Sequence, residues 1–172
     1  MNEREREQRF DQWLADHSGL LFKVVRAFAT AIQDREDLFQ HIAVQLWNSL
    51  KTYDGSVAPT TWIYRVAFYA ANSWSRKEFR RRRKTNLLGE GDAELIQETE
   101  PQDARLRDVM EQIRRLEEVD RSIALMLLDG CSYQDIAEVL GISMNNVGVR
   151  IHRIKKKLTR NLNPQPERAH EV

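Results

Sequence analysis

The chain of 172 residues has room for one ordinary domain or two small ones, and 41% hydrophobic content is enough for packed helical cores. A single cysteine excludes an internal disulfide, four scattered histidines exclude a spaced metal-ligand set, and no apolar run approaches bilayer length. The net charge of +1 conceals segregation: Arg76 to Lys84 is basic, Glu90 to Asp103 is acidic, and Arg150 to Arg160 is basic again.

The N-terminus, MNEREREQRF, is charged rather than apolar and reads as a frayed lead-in. These features predict a cytoplasmic chain with no membrane insertion, no cofactor and no metal. Phe10, Trp13, Leu14, Leu20, Leu21, Val24, Val25 and Phe28 then follow a helical pattern interrupted near Ser18 and Gly19, which predicts two helices. From Asp34 to Leu50 the apolar positions Leu38, Phe39, Ile42, Ala43, Leu46, Trp47 and Leu50 recur near 3.6 residues. Asp34, Glu36 and Asp37 in the first turn have two readings. They favour the positive end of the helix dipole, or with Gln40 and His41 they form a docking surface.

Gly55 and Pro59 break that helix in the loop Thr52 to Thr61, and a long helix is predicted from about Thr61 to Lys84. Its core stripe is Trp62, Ile63, Val66, Ala67, Ala70 and Trp74. Tyr64 and Phe68 project away from it, beside Arg65, Asn72 and Arg76, with Tyr69 at the border. Aromatic rings interleaved with arginines can stack unpaired bases while holding their backbone; the alternative is that Tyr64 and Phe68 pack against the N-terminal helices. The tract Thr85 to Arg105 is acidic, carries Gly89, Gly91 and Pro101, and reads as a flexible tether with a reach of roughly 70 Å.

Two more helices are predicted, Asp103 to Glu117 and Asp120 to Leu128, and then comes a helix-turn-helix. Ser132 and Asp135 have the form of a capping box, Gly141 can end that helix, and Ser143 can cap the next. In the second helix Val147, Ile151, Ile154 and Leu158 form one apolar stripe. The opposite arc holds Asn145, Asn146, Val149, His152, Arg153 and Lys156, with Arg150 on a flank. Amides and guanidinium groups pair bidentately with base edges, and lysines neutralise phosphates, so this face suits a DNA groove. A solvated basic face is the plainer alternative, and the turn chemistry favours DNA. The fold expected is all-α, two small helical domains joined by a flexible acidic linker, the C-terminal one containing the helix-turn-helix.

The runs DREDLFQ (Asp34 to Gln40), TTWIYRVA (Thr60 to Ala67) before the arginine block, and GCSYQDIAEVLGIS with VGVRIHRIKKKL occur in this order. Together they resemble the bacterial RNA polymerase sigma factors of the small extracytoplasmic function type. The resemblance implies a sigma2-like domain at 1–84 and a sigma4-like domain at 106–162; the acidic tract at 85–105 is the linker between them, and the tail at 163–172, with two prolines, is expected to be disordered. It implies that Asp34, Glu36, Asp37, Leu38, Gln40 and His41 bind the beta-prime clamp helices of core RNA polymerase. Tyr64, Arg65, Phe68, Tyr69, Asn72, Arg76 and Arg80 would hold the minus-10 element of promoter DNA. Ser143, Asn145, Asn146, Val149, Arg150, His152, Arg153 and Lys156 would read the minus-35 element, with the same domain on the beta flap. An anti-sigma factor is a further implied partner.

The chain departs from the family's common pattern at several positions. Phe68 and Tyr69 stand where many members have Arg-Asn, Ser73 where Asp is frequent, and Asn146 to Arg150 where Thr-Val-Lys-Ser-Arg is common. The promoter sequence therefore does not transfer. No phosphate loop, H-E-x-x-H or nucleophile with a base supports an enzyme. A stand-alone helix-turn-helix regulator would account for Ser132 to Leu158 but leaves the aromatic and arginine surface without a task, and a polymerase-binding decoy is a third reading.

Overall fold

The computed structural model describes residues 2–87 and 104–162, and among these there are eight α-helices and no strand. The first, α1 (Glu3–Asp16), begins earlier than the charged lead-in suggests, because Asn2 and Glu5 form a reciprocal capping box. The Glu5 amide donates to Asn2 Oδ1 at 2.8 Å, and the Asn2 amide donates to the Glu5 carboxylate at 3.0 Å. After the break at His17 comes α2 (Ser18–Phe28), then α3 (Ile32–Ser49) and α4 (Pro59–Leu87). Pro59 opens α4, where a missing amide hydrogen forfeits no intrahelical bond.

Leu21, Val24 and Val25 of α2, Leu38, Ile42 and Leu46 of α3, and Ile63, Ala67 and Ala70 of α4 are buried. Each large aliphatic residue so placed contributes about 1.5–3 kcal/mol of hydrophobic free energy. An aromatic chain seals the end of this unit: Trp13 meets Tyr53 edge-on at 5.0 Å, and Tyr53 lies 5.3 Å from Trp62. Tyr53 donates to the Val57 carbonyl at 2.9 Å, and Trp62 Nε1 to Ser49 Oγ at 3.0 Å, which pins the α3–α4 loop to the helices it joins.

The second unit consists of α5 (Ala104–Arg114), α6 (Glu118–Leu128), α7 (Tyr133–Leu140) and α8 (Met144–Leu162). Val147, Ile151 and Ile154 of α8 are buried with Ile113, Leu116, Ile123, Leu125, Met126, Ile136 and Val139, so the predicted stripe is the one that packs. The two units touch: α2 lies against α5 and α6, and α4 against α7. That contact changes the exposure of α4. Ile63, Ala67 and Ala70 are buried as the stripe predicts, Trp62, Val66 and Trp74 are only partly so, and Tyr64, Phe68 and Ala71 are buried in addition. A helix covered by neighbours on two sides shows no single apolar stripe. Most of the expected linker and all of the expected tail, 88–103 and 163–172, lie outside the described residues.

Candidate nucleic-acid interface

The helix-turn-helix is set by local chemistry. Ser132 Oγ accepts the Asp135 amide at 3.1 Å, and the Ser132 hydroxyl at 2.6 Å and then the Ser132 amide at 2.9 Å donate to Asp135 Oδ2 and hold that carboxyl below its usual range. Gly141 ends α7 with φ of 65°, a left-handed conformation that glycine adopts without a Cβ clash. Ser143 Oγ then accepts the Asn146 amide at 3.2 Å and starts α8. With the apolar stripe of α8 packed inward, Asn145, Asn146, Val149, His152, Arg153 and Lys156 are all exposed. Met144, Asn145, Gly148, Val149, His152 and Arg153 line one shallow concavity along the helix. Arg150 differs from the rest. Its guanidinium donates to Asp120 Oδ1 of α6 at 2.6 Å and to Asn146 Oδ1 at 3.0 Å, so it braces α8 against α6 instead of facing outward as expected.

On α4 the expected set divides. Tyr69 is 71% exposed, and Arg80 is exposed with its Nε bonded to the Arg76 carbonyl at 3.2 Å. Tyr64 and Phe68 are each only 2% exposed; they stack on one another at 5.3 Å, and Phe68 lies 6.4 Å from Phe28. The expectation that they present free faces to bases is corrected in this arrangement in favour of packing, since α2 and the second unit both lie over them. Asn72 is also turned inward, with Oδ1 buried and unpartnered. Arg65 and Arg76 reach across to the second unit: Arg65 donates to the Glu138 carbonyl at 3.0 Å and Arg76 to Glu118 at 3.2 Å. Tyr69, Arg76, Arg80 and Arg83 are exposed along one stripe, with Ser73 half-buried between the first two, at spacings of four, three, four and three. Ser73 and Arg83 were not among the residues expected to hold the minus-10 element, although that periodicity could have placed them there. Beside this helix, Arg9, Trp13, Tyr53, Asp54, Gly55 and Pro59 line a concavity of about 460 Å³ at the α3–α4 loop.

On α3, Glu36, Asp37 and Gln40 are exposed and His41 is half-buried. Leu38 is fully buried and Asp34 is nearly so, with its carboxylate bonded to Arg82. Neither is presented to a partner, which corrects the expectation for both. Leu38 occupies the core stripe, and Asp34 anchors the end of α4 to the start of α3. Part of the arginine block is thus structural. Arg81 and Arg82 also grip Glu78, and hydrogen bonds from Arg81 first, then Arg82, hold its carboxyl below the usual range. Among the described residues no group of histidine, cysteine and acidic side chains could hold a metal, and no helix is long and apolar enough to cross a membrane.

Comparison with known proteins covers both units. Residues 13–84 match the family profile described as Sigma-70 region 2, and residues 106–158 match Sigma-70, region 4. The RNA polymerase sigma-H factor of Pseudomonas aeruginosa is 26% identical over 90% of this chain and 86% of its own length. The ECF RNA polymerase sigma-E factor of Haemophilus influenzae is 29% identical over 76% of each. Among solved structures, the sigma factor RpoE of Bartonella quintana, in complex with the anti-sigma factor NepR, superposes with a TM-score of 0.72 at 20% identity, covering 90% of this chain and 97% of that one. CnrH, in complex with the cytosolic domain of CnrY, does so with a TM-score of 0.67 at 24% identity, covering 93% and 91%. These two likenesses establish a shared fold.

Proposed function

The chain belongs to the sigma-70 family, as a sigma factor of the extracytoplasmic function type, and from that premise we propose how its surfaces divide the work. It binds core RNA polymerase and directs it to promoter DNA for transcription initiation. It is not itself an enzyme, because the chemistry of RNA synthesis belongs to the polymerase.

In our reading the sigma2-like domain is 1–84, with 85–105 as linker, and the sigma4-like domain is 106–162. The outer face of α8 reads the minus-35 element as duplex. The observation that carries this is the capped helix-turn-helix with Asn145, Val149, His152, Arg153 and Lys156 exposed on one arc, so that amide, imidazole and guanidinium groups can meet base edges. Tyr69 and Arg80 of α4 engage the minus-10 element, an exposed aromatic ring stacking on a base while an arginine holds the backbone. Arg65 and Arg76 join them when their contacts with the second unit are released. Glu36, Asp37, Gln40 and His41 dock on the polymerase, and a protein acting with polymerase on promoters works in the cytoplasm. An anti-sigma partner is part of the proposal, since the Bartonella quintana relative in fold was solved with one.

The decisive experiment is transcription in vitro from a genomic fragment library with this protein and a matching core polymerase, sequencing the RNA starts. Starts sharing two upstream elements at fixed spacing are expected. Duplex binding at a palindrome with no core dependence would instead establish a stand-alone regulator.

A further inference from the structure

The surface that α4 and α2 turn toward the second unit carries Lys23, Arg26, Tyr64, Arg65 and Arg76, and the opposing surface carries Glu118, Asp129 and Glu138. Each of the three acids is claimed by at least one donor. Asp129, at the end of α6, receives both the Lys23 ammonium and the Tyr64 hydroxyl. Arg65 binds the Glu138 carbonyl with the Glu138 carboxylate 4.0 Å away, and Arg76 binds Glu118. Around this, Arg121 of α6 lies 4.7 Å above the Phe28 ring, and Arg114 donates to the Arg26 carbonyl at 2.9 Å. Burial first, then the neighbouring Cys131, pushes the Tyr64 phenol above its ordinary range and keeps it a donor.

We propose that the α6–α7 face of the C-terminal unit is an internal substitute for the melted DNA strand, its carboxylates engaging Lys23 of α2 and the Tyr64, Arg65 and Arg76 donors of α4 and closing the free protein over part of its own strand-binding surface. The proposal rests on reading α4 as the minus-10 surface. Arg65 and Arg76 cannot hold phosphates while they hold Glu138 and Glu118, so strand and clasp compete for the same donors. Geometry requires the clasp to open during initiation. The two promoter elements are named for positions about 25 base pairs apart, roughly 85 Å of duplex, whereas the clasp keeps α4 and α7 in contact. The outward face of α8 stays uncovered, so in the free protein duplex reading remains possible while Arg65 and Arg76 are withheld from a strand and only Tyr69 and Arg80 stay open to it.

The test uses the full chain. Small-angle scattering gives the radius of gyration, for which a compact chain of this length approaches about 16 Å. Anisotropy gives binding to a fluorescein-labelled single strand of mixed sequence, about 15 nucleotides long. Asp129→Lys is expected to expand the protein and tighten strand binding by about tenfold or more, the scale of one lost charge-assisted hydrogen bond. The exchanged pair Lys23→Asp with Asp129→Lys restores both values, and Asp11→Lys, which adds the same charge on exposed α1, changes neither by a comparable amount. If Asp129→Lys loses helical circular dichroism, Glu118→Lys tests the same face with the same expectation. A wild type already expanded, or Asp129→Lys matching Asp11→Lys, overturns the clasp while core-dependent transcription leaves the promoter reading intact. Failure of every variant to bind the strand, even with core polymerase present, overturns the reading of α4 and the clasp with it.

Discussion

Arg150 shows how a single residue can satisfy a motif and yet perform another task. Its place on α8 fits a base-reading position, but Asp120 at 2.6 Å claims the guanidinium and turns it into a brace. Asp120 is 30 residues away in the chain, so no local pattern could reveal the pairing. Gly148 is the converse case. It sits in the middle of α8, yet a Cβ there would meet only Tyr133 Cε2 at 3.8 Å, an ordinary contact. Packing does not demand glycine, and Gly148→Ala is expected to raise stability by about 0.5–1 kcal/mol, read from urea unfolding. An unchanged or lower midpoint would show that the helix is strained at this point.

Within elements, α3 separates a buried support face from the exposed face proposed to dock on polymerase. Leu38→Ala removes a fully buried side chain and is expected to cost about 2–5 kcal/mol of stability. Glu36→Lys, on the exposed face, should leave the melting temperature nearly unchanged and weaken binding to core polymerase in a pull-down titration. Equal losses of stability in the two variants would argue against that division. The end of α4 has its own pH dependence. Glu78 is depressed from 4.5 by Arg81 and Arg82, so the stability it adds is present above the ordinary carboxylate pKa and is lost as pH falls through the lowered folded value. Amides around Arg80 to Arg83 should therefore lose hydrogen-exchange protection in acid before those of the α3 core, and Glu78→Gln should remove the difference.

At the level of the whole molecule, the contacts between the units include charged pairs that are partly solvent-exposed. The Lys23 side chain retains 32% of its accessibility and that of Arg76 58%. Contacts of this kind are screened, so raising salt from about 0.05 M to about 0.5 M should increase the radius of gyration of the wild type while its helical circular dichroism stays constant. A radius insensitive to salt would mean that the apolar part of the interface, around Phe28 and Phe68, is sufficient to hold the units together.

The sequence by itself determined the helices of both units, the two-part organisation and which face of α8 turns outward, because caps, turns and 3.6-residue periodicity act within a few residues of one another. Ser132, Asp135, Gly141 and the stripe from Val147 to Ile154 needed no distant partner to be recognised. Tertiary structure alone decided the fate of Asp34, Tyr64, Phe68, Arg65, Arg76 and Arg150. Each side chain is claimed by a group on another helix, in several cases across the junction between units. A long-range partner leaves no trace in local spacing. Whether an aromatic or a cation faces solvent or a neighbour depends on which surfaces meet, and that is settled only when the chain has packed.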